Sequence, residues 1–290
     1  MKARFYEAEE NGARCTLCPH GCLLRAGTKG RCGVRRGSGG NGAFAISLPR
    51  YAVITALASD PVEKKPLYHW RPGSRILSAG FAGCNLVCPF CQNASISQNP
   101  AAPGRRMEPD DLAAAAAESG CGQLAFTYSE PLVHAEYLAA CMKAARKAGV
   151  ATVLVSNGCV NAGAAAEVLA LCDAANIDLK SFSAQTYRNT LGGSLRAVLD
   201  FIETALALGV HLEITTLVVT GLNDSGGELD EIASFIARLG PKPPVWHLSA
   251  YHPCWKYDAP ATDPARLVAA VRRAREKLPV VYPGNAGAPA

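Results

Sequence analysis

The sequence predicts an α/β fold built on one parallel sheet, and a β/α barrel, full or partial, suits it best. Three observations carry this reading. From Arg75 onward, apolar strand segments and amphipathic helical segments alternate about six times, and such alternation gives a parallel sheet covered by helices. Polar residues collect at the C-terminal ends of successive strands: Tyr128-Ser129-Glu130, Ser156-Asn157-Gly158, Asp178-Leu179-Lys180, Thr220-Gly221 and Tyr251-His252. That end carries the active site in β/α barrels. A tight cysteine group, Cys84, Cys88 and Cys91, directly follows the first of these strands. A doubly wound sheet fits the alternation too; the polar strand ends favour the barrel.

The elements follow in order. Arg75–Gly80 is a short apolar run and the first strand. Pro109–Glu118 is alanine-rich and helical. Gln123–Tyr128 reads as a strand, Leu132–Lys147 as a helix ending near Gly149, Ala151–Asn157 as a buried strand, Ala162–Leu171 as a helix and Ala175–Lys180 as a strand. Leu195, Val198, Ile202 and Leu206 fall on one helical face before the strand His211–Val219. Leu229, Ile232, Ile236 and Leu239 form the next stripe, before the strand Val245–Tyr251. Leu267, Val271, Ala274 and Leu278 form the last, before Val280–Tyr282. Spacings of three and four mark each amphipathic helix.

Upstream the pattern differs. Residues 1–45 are polar and glycine-rich. Gly37-Ser38-Gly39-Gly40-Asn41-Gly42 formally matches G-x-G-x-x-G, but no apolar strand precedes it and Ala43–Leu48 after it reads as a strand. The stretch is therefore expected to be a flexible loop, not a phosphate cradle. Asp60–Trp70 reads as a connector whose two prolines disfavour a continuous helix. The expected division is a cysteine-rich module and connector over 1–70 and the barrel over 71–290.

Composition narrows the class. Hydrophobic residues make up 49% and charged residues 18% of the 290, which excludes disorder, collagen and coiled coil. The net charge of +5 comes from 29 basic against 24 acidic residues, compatible with an anionic ligand but without the basic stripe of a nucleic-acid protein. No apolar run approaches the roughly 20 residues that span a bilayer, so no membrane role is expected. Seven of the 12 cysteines fall in two tight clusters, a placement that points to metal ligation in a reducing cytoplasm and away from a disulfide framework.

The sharper cluster is Cys84-Asn85-Leu86-Val87-Cys88-Pro89-Phe90-Cys91, spaced C-x3-C-x2-C. Three thiolates can hold three irons of a 4Fe–4S cube and leave the fourth iron to an exogenous ligand, whereas structural zinc and electron-carrier clusters usually take four protein ligands. The plain alternative is a zinc or inert thiol site completed from elsewhere. The second cluster, Cys15, Cys18, Cys22 and Cys32, is spaced C-x2-C-x3-C-x9-C. Four thiolates around a short glycine-rich loop suit tetrahedral zinc or a second 4Fe–4S cluster, and the module has too few apolar residues to fold without such help. His20 is read as a spectator. Cys121, Cys141, Cys159, Cys172 and Cys254 are read as small buried hydrophobes, and His69, His134, His211 and His247 receive no role.

The C-x3-C-x-aromatic-C run resembles the signature of radical S-adenosylmethionine (SAM) enzymes. FAGCNLVCPFCQNASISQ, DPVEKKPLYHW, TYSEP, SNG, IDLKSF and HLSAYHP together resemble the radical SAM protein of the AmmeMemoRadiSam system, which is related to the activating enzymes of pyruvate formate-lyase and other glycyl radical enzymes. The resemblance runs from about Cys15 to Asn285. It implies a partial (β/α)6-type TIM barrel and an oxidoreductase that cleaves SAM at a 4Fe–4S cluster with one open iron. It also implies a flavodoxin or ferredoxin reductant, a protein or peptide substrate and companions of the Memo and AMMECR types. A glycyl radical enzyme activase proper is the near alternative, and a non-catalytic iron–sulfur electron carrier is the distant one.

Residue by residue, the resemblance implies that Cys84, Cys88 and Cys91 ligate the cluster and Phe90 packs near the adenine. Glu130 stands where the family's Gly-Gly-Glu meets the SAM amino group, with Tyr128 and Ser129 in place of the glycines. Ser156 and Asn157 lie in the turn near SAM, Asp178 and Lys180 match an Asp-Leu-Lys motif facing the methionyl carboxylate, and His252 approaches the ribose and methionine. Two departures stand out: Val155 replaces an Asp of the activases and Thr215 replaces an Arg.

Overall fold

The computed structural model describes residues 1–40 and 43–285. The chain opens with strands β1 (Tyr6–Glu9), β2 (Gly12–Cys15) and β3 (Leu23–Leu24) in one antiparallel sheet, followed by an antiparallel hairpin of β4 (Arg36–Gly40) and β5 (Ala43–Ser47). The expected flexible loop is thus corrected: residues 36–40 form a strand, while Asn41 and Gly42 lie outside the described residues. The glycines serve close approach of backbones. A methyl on Gly37 would collide with the Arg25 carbonyl, and one on Gly39, at φ +90°, with that of Ala43.

The main sheet has eight strands. The antiparallel edge β6 (Ala56–Pro61) pairs with β7 (Arg75–Gly80). Then β8 (Gln123–Thr127), β9 (Ala151–Ser156), β10 (Ala174–Asp178), β11 (His211–Val218), β12 (Val245–Ala250) and β13 (Val281–Gly284) follow, each parallel to its neighbour. One long helix crosses between each successive pair from β7 onward: α1 (Pro109–Glu118), α2 (Ala135–Lys147), α3 (Ala162–Leu169), α4 (Leu195–Ala207), α5 (Gly226–Ala237) and α6 (Pro264–Ala274). This is the partial barrel the sequence predicts, six strand–helix units long, with an added short strand at each edge. No strand pairing among the described residues joins the two edges.

Local chemistry sets the helix starts. The hydroxyl of Ser194 accepts from Ala197 N–H, that of Ser225 from Glu228 N–H, and the Asp263 carboxylate from Ala265 N–H just behind Pro264. Each such cap is worth about 1 kcal/mol. The apolar stripes turn inward as their spacing requires; on α4, Val198, Phe201, Ile202 and Ala205 are buried. The same apolar core takes in Ala13, Leu17, Val34 and Ile46 of the N-terminal strands. Arg35, 1% exposed, reaches Glu136 of α2 with two bonds of 2.7 and 2.9 Å, a buried pair that seats the N-terminal strands on the barrel. No helix among the described residues is long and apolar enough to cross a membrane.

The connector has a structural role that sequence reading missed. Residues 62–70 plug the N-terminal end of the barrel. Val62 and Leu67 pack on Ile76, Ala125, Val153 and Ala174. Asn176 Nδ2 donates to the Pro66 carbonyl, and Trp70 Nε1 donates to Gln123 Oε1, both at 2.8 Å. Glu213, fully buried on β11, accepts from the backbone N–H groups of Tyr68 (3.0 Å) and His69 (2.8 Å). It also accepts from His211 Nε2 (3.0 Å) and His247 Nε2 (2.7 Å).

This arrangement gives a pH prediction. Burial opposes the charge on Glu213, but the two histidines and two backbone N–H groups outweigh it and hold the carboxyl at about 2. A carboxyl lowered on folding stabilises fully above its unfolded value and loses that share as pH falls through the folded one. Between pH 6 and pH 3 the wild type should therefore lose about 2 kcal/mol that Glu213→Gln does not have to lose. Urea unfolding of both proteins at pH 6 and pH 3 checks this; parallel losses would remove Glu213 as the floor's anchor.

Candidate functional site

At the C-terminal mouth of the barrel lies a cavity of about 650 Å³. One wall is the loop after β7, carrying Cys84, Cys88, Phe90 and Cys91. The facing wall is made of strand ends: Asn157, Asp178, Lys180, Leu217 and Ser249. The floor is Thr215, His247 and, from the plug, Tyr68. The fold therefore brings the cysteine triad together with six polar positions, Asn157, Asp178, Lys180, Thr215, His247 and Ser249, that arrive from four separate strands.

The three thiols sit among donors. Leu86 N–H lies 3.3 Å and Asn157 Nδ2 3.6 Å from Cys84 Sγ, and Ser97 Oγ lies 3.2 Å from Cys91 Sγ. Burial pushes the Cys84 thiol well up and the Cys88 thiol to about 11, so ionisation would accompany metal binding. No three His, Cys, Asp or Glu side chains among the described residues are gathered closely enough to share one metal ion. Three thiols opening onto a roomy cavity fit an iron–sulfur cluster with one iron left to another ligand, whereas structural zinc usually takes four protein ligands. Cys254 lies beside the triad, but its Sγ donates to the Cys91 carbonyl at 3.2 Å.

Across the cavity, Lys180 Nζ holds Asp178 Oδ2 at 2.8 Å. Burial works against the ammonium charge, yet the Asp178 carboxylate keeps the group charged far above neutral pH. The ring of Phe90 is buried, lines the cavity and meets Tyr257 edge-on at 6.2 Å.

Three residues expected at the ligand lie off the cavity lining. Glu130 does not reach the cavity. It is fully buried, with Oε1 accepting from Leu132 N–H (3.0 Å) and Ser156 Oγ (2.8 Å) and Oε2 from Asn157 N–H (2.8 Å). Ser156 is likewise committed to Glu130 and absent from the lining. Both position Asn157, whose Nδ2 donates to Asn85 Oδ1 at 3.0 Å and whose Oδ1 accepts from Cys159 N–H at 2.8 Å. Burial pushes the Glu130 carboxyl up to about 7 against the pull of its three donors. His252 is exposed, with Nε2 3.2 Å from the Asn285 carbonyl, and it lies off the cavity lining; Asn285 takes that place. The rim there is filled by Asn285, which directly follows the parallel edge strand β13.

Two features went unread in the sequence. His247, given no role, lies on the floor with Glu213 behind it. Because Glu213 is ionised, the bond has Nε2–H as donor, which leaves Nδ1 without a partner among the described residues. Thr215 Oγ1 is buried and also without a partner among them. The alternation His211, Glu213, Thr215 along one strand was the available signal, since it puts three polar side chains on one face. The second feature is Tyr128, at φ +70°, a conformation natural to the glycine that the resemblance expects there.

Glu130 generates a prediction. Glu130→Ala orphans three buried donors, each costing about 1–3 kcal/mol. The variant should lose about 3 kcal/mol or more of stability, read as a fall of several degrees in melting temperature. A melting temperature unchanged from wild type would show that the carboxylate does not anchor Asn157.

Comparison with known proteins places this geometry. A family model described as the Radical SAM superfamily matches residues 80–236. An uncharacterised protein of Methanocaldococcus jannaschii is 35% identical over 98% of this chain and 85% of its own length. The pyruvate formate-lyase 1-activating enzyme of Escherichia coli is 24% identical over 64% of this chain and 77% of that enzyme. The crystal structure of Streptococcus suis SuiB bound to S-adenosylmethionine superposes with a TM-score of 0.56 at 13% identity, over 69% of this chain and 47% of that one.

Proposed function

The chain belongs to the radical SAM superfamily, and on that premise we propose that it is an oxidoreductase that cleaves SAM reductively to act on a C–H bond of a protein or peptide. The carrying observation is the triad of thiols facing Asp178, Lys180 and Asn157 across one cavity. With a 4Fe–4S cluster on Cys84, Cys88 and Cys91 and SAM bound, the site would have a 5′-deoxyadenosyl radical available to take a hydrogen atom.

The chain's own residues have separate tasks in this reading. Lys180, kept charged by Asp178, receives the methionyl carboxylate. Asn157, fixed by Glu130 and Asn85, turns its amide toward the cysteine loop. Phe90 offers an apolar face to the adenine. The plug closes the barrel's N-terminal end, so substrate enters from the mouth. On the floor, His247 Nδ1 and the hydroxyls of Thr215 and Ser249 offer hydrogen-bonding positions, which suits a polar substrate group such as a peptide backbone.

The sequence similarity to a pyruvate formate-lyase activating enzyme favours a second reading, an activase that acts on a glycine of a glycyl radical enzyme. In either reading the electron donor is of the flavodoxin or ferredoxin class, the compartment is the cytoplasm, and companions of the Memo and AMMECR types are expected for the AmmeMemoRadiSam assignment. Cys15, Cys18, Cys22 and Cys32 hold a second metal group, zinc or 4Fe–4S, in an N-terminal module ahead of the barrel, whose sheet starts at Ala56 and not at the expected residue 71.

Two experiments test this reading. Anaerobically reconstituted protein with dithionite and SAM should release 5′-deoxyadenosine, and changing Cys84, Cys88 and Cys91 together to Ala should abolish the release; persistence in the triple variant overturns the assignment. Lys180→Ala removes one charged hydrogen bond of about 1.5–3 kcal/mol, so SAM affinity should fall roughly 10- to 150-fold with the cluster still assembled. Unchanged affinity would take Lys180 out of the SAM site.

A further inference from the structure

Reductive cleavage of SAM, the reading proposed for the cavity, needs one electron from outside the chain. On that reading we infer that the exposed face of Arg25, Lys29, Arg31 and Arg36, beside Val87, docks an acidic protein that carries a one-electron cofactor.

The positive charge of the chain is concentrated there. Eight of the 29 basic residues but only three of the 24 acidic ones lie in residues 1–47, so this stretch holds the whole net charge of +5 and the rest of the chain is balanced. No acidic residue stands between Glu10 and Asp60. Arg25, Lys29, Arg31 and Arg36 are all exposed, and none of them meets a carboxylate among the described residues. Gly27 N–H donates to the Gly37 carbonyl and Gly37 N–H to the Thr28 carbonyl, both at 2.9 Å, which folds the loop of Arg25 and Lys29 onto the strand of Arg36. Lys29 and Arg36 then stand opposite each other across an antiparallel bridge. Like charges so placed cost stability, and an anionic partner offsets that cost.

This face borders the cysteine loop. A methyl on Gly192 would strike the Arg31 guanidinium and stand 3.1 Å from Val87 Cγ2, so the two side chains flank one point. Val87 N–H donates to the Leu191 carbonyl at 2.8 Å, its side chain is 38% exposed, and Cys88 follows it directly. Beyond Cys88, Lys256 N–H donates to the Pro89 carbonyl at 3.0 Å, and the Lys256 ammonium lies 4.6 Å over the exposed ring of Trp255. Apolar side chains with a cationic rim therefore flank a triad cysteine. Arg31, Val87 and Lys256 are all off the cavity lining, so a donor docked here does not compete with SAM or substrate. Electron-transfer encounters are small and weak and are steered by charge, which suits a patch of this kind. The step itself is simple: the donor loses one electron, the iron–sulfur cluster on the triad gains it, and no bond forms between the proteins.

The test uses the whole chain, reconstituted anaerobically, with a flavodoxin and a ferredoxin as acidic probes. Each, oxidised, is titrated into the wild type and into the variant Arg25→Glu, Lys29→Glu, Arg31→Glu. The probe that binds the wild type should lose about tenfold or more in affinity for the variant, and the wild type should lose a similar factor between about 50 and 300 mM NaCl. Bleaching of the cluster by the same probe in its reduced form should slow in parallel, while bleaching by dithionite stays within about twofold. Failure of both probes to bind the wild type, unchanged affinity in the variant, or equal slowing with dithionite overturns the inference. So does a single-stranded RNA that displaces both probes from the wild type and does not bind the variant, since it gives the face to nucleic acid. Should the variant not fold, the wild type decides, and an affinity indifferent to salt overturns the inference. Formation of 5′-deoxyadenosine with dithionite needs no docked protein and reports on the SAM reading alone, so either conclusion can fail without the other.

Discussion

One buried carboxylate fixes the distance between the two walls of the cavity. Glu130 lies just past the end of β8 and accepts from its own turn, through Leu132 N–H, and from the next strand end, through Ser156 and Asn157. Asn157 then reaches Asn85 and Cys84 on the opposite loop. A chain of hydrogen bonds therefore runs from strand end to cysteine loop without passing through solvent. In so dry a setting each bond is stronger than in water, and each unpaired donor more costly. The acidic residue that the family resemblance assigns to ligand contact acts here one layer back, as the group that sets where Asn157 stands.

The same device recurs at other levels of the molecule. Glu136 of α2 takes Arg35 and the Arg4 N–H, tying the N-terminal strands to the barrel. Glu213 takes two backbone N–H groups of the plug. Asp60, at the end of the antiparallel edge strand, takes Lys65 at 2.8 Å and Tyr128 Oη at 2.6 Å. Burial resists its charge, but those two partners hold the carboxyl below its ordinary range. In each case a carboxylate joins segments far apart in sequence that the sheet ladder cannot join. A partial barrel needs such ties, because its open edges leave the ends of the sheet without mutual pairing.

How much of this was legible follows from which interactions are local. The strands and helices of the barrel were read to within a few residues, because periodicity is set by neighbours three and four positions away or by alternate positions on a strand. Asp178, Lys180 and Asn157 were placed correctly at the mouth, since strand-end position follows from the same periodicity. Glu130 and His252 were not, because whether a strand-end side chain faces the cavity depends on partners as remote as Asn157 and Asn285. The glycine run at 37–40 was misread because low side-chain content signals both loops and closely packed strands. The plug was invisible for a related reason: its bonds go to Glu213, Asn176 and Gln123, more than fifty residues away.

Tyr128 joins the connector to the cavity wall. A bulky residue at φ +70° costs on the order of 1–3 kcal/mol and persists only where its surroundings over-determine it. Here they do. Its hydroxyl is held by Asp60, its carbonyl accepts from Asn93 Nδ2 at 2.7 Å, and Lys65 lies 4.4 Å above its ring. Gly80 completes the fit, for a methyl there would come within 2.7 Å of the Tyr128 ring. Side chain and strain therefore come as a set with the connector's Asp60 and Lys65. Where a glycine would leave the cavity wall bare, this chain adds an aromatic ring to it. The cavity beside the cysteine loop is therefore walled on that side by an aromatic ring that Asp60 and Lys65 hold in place.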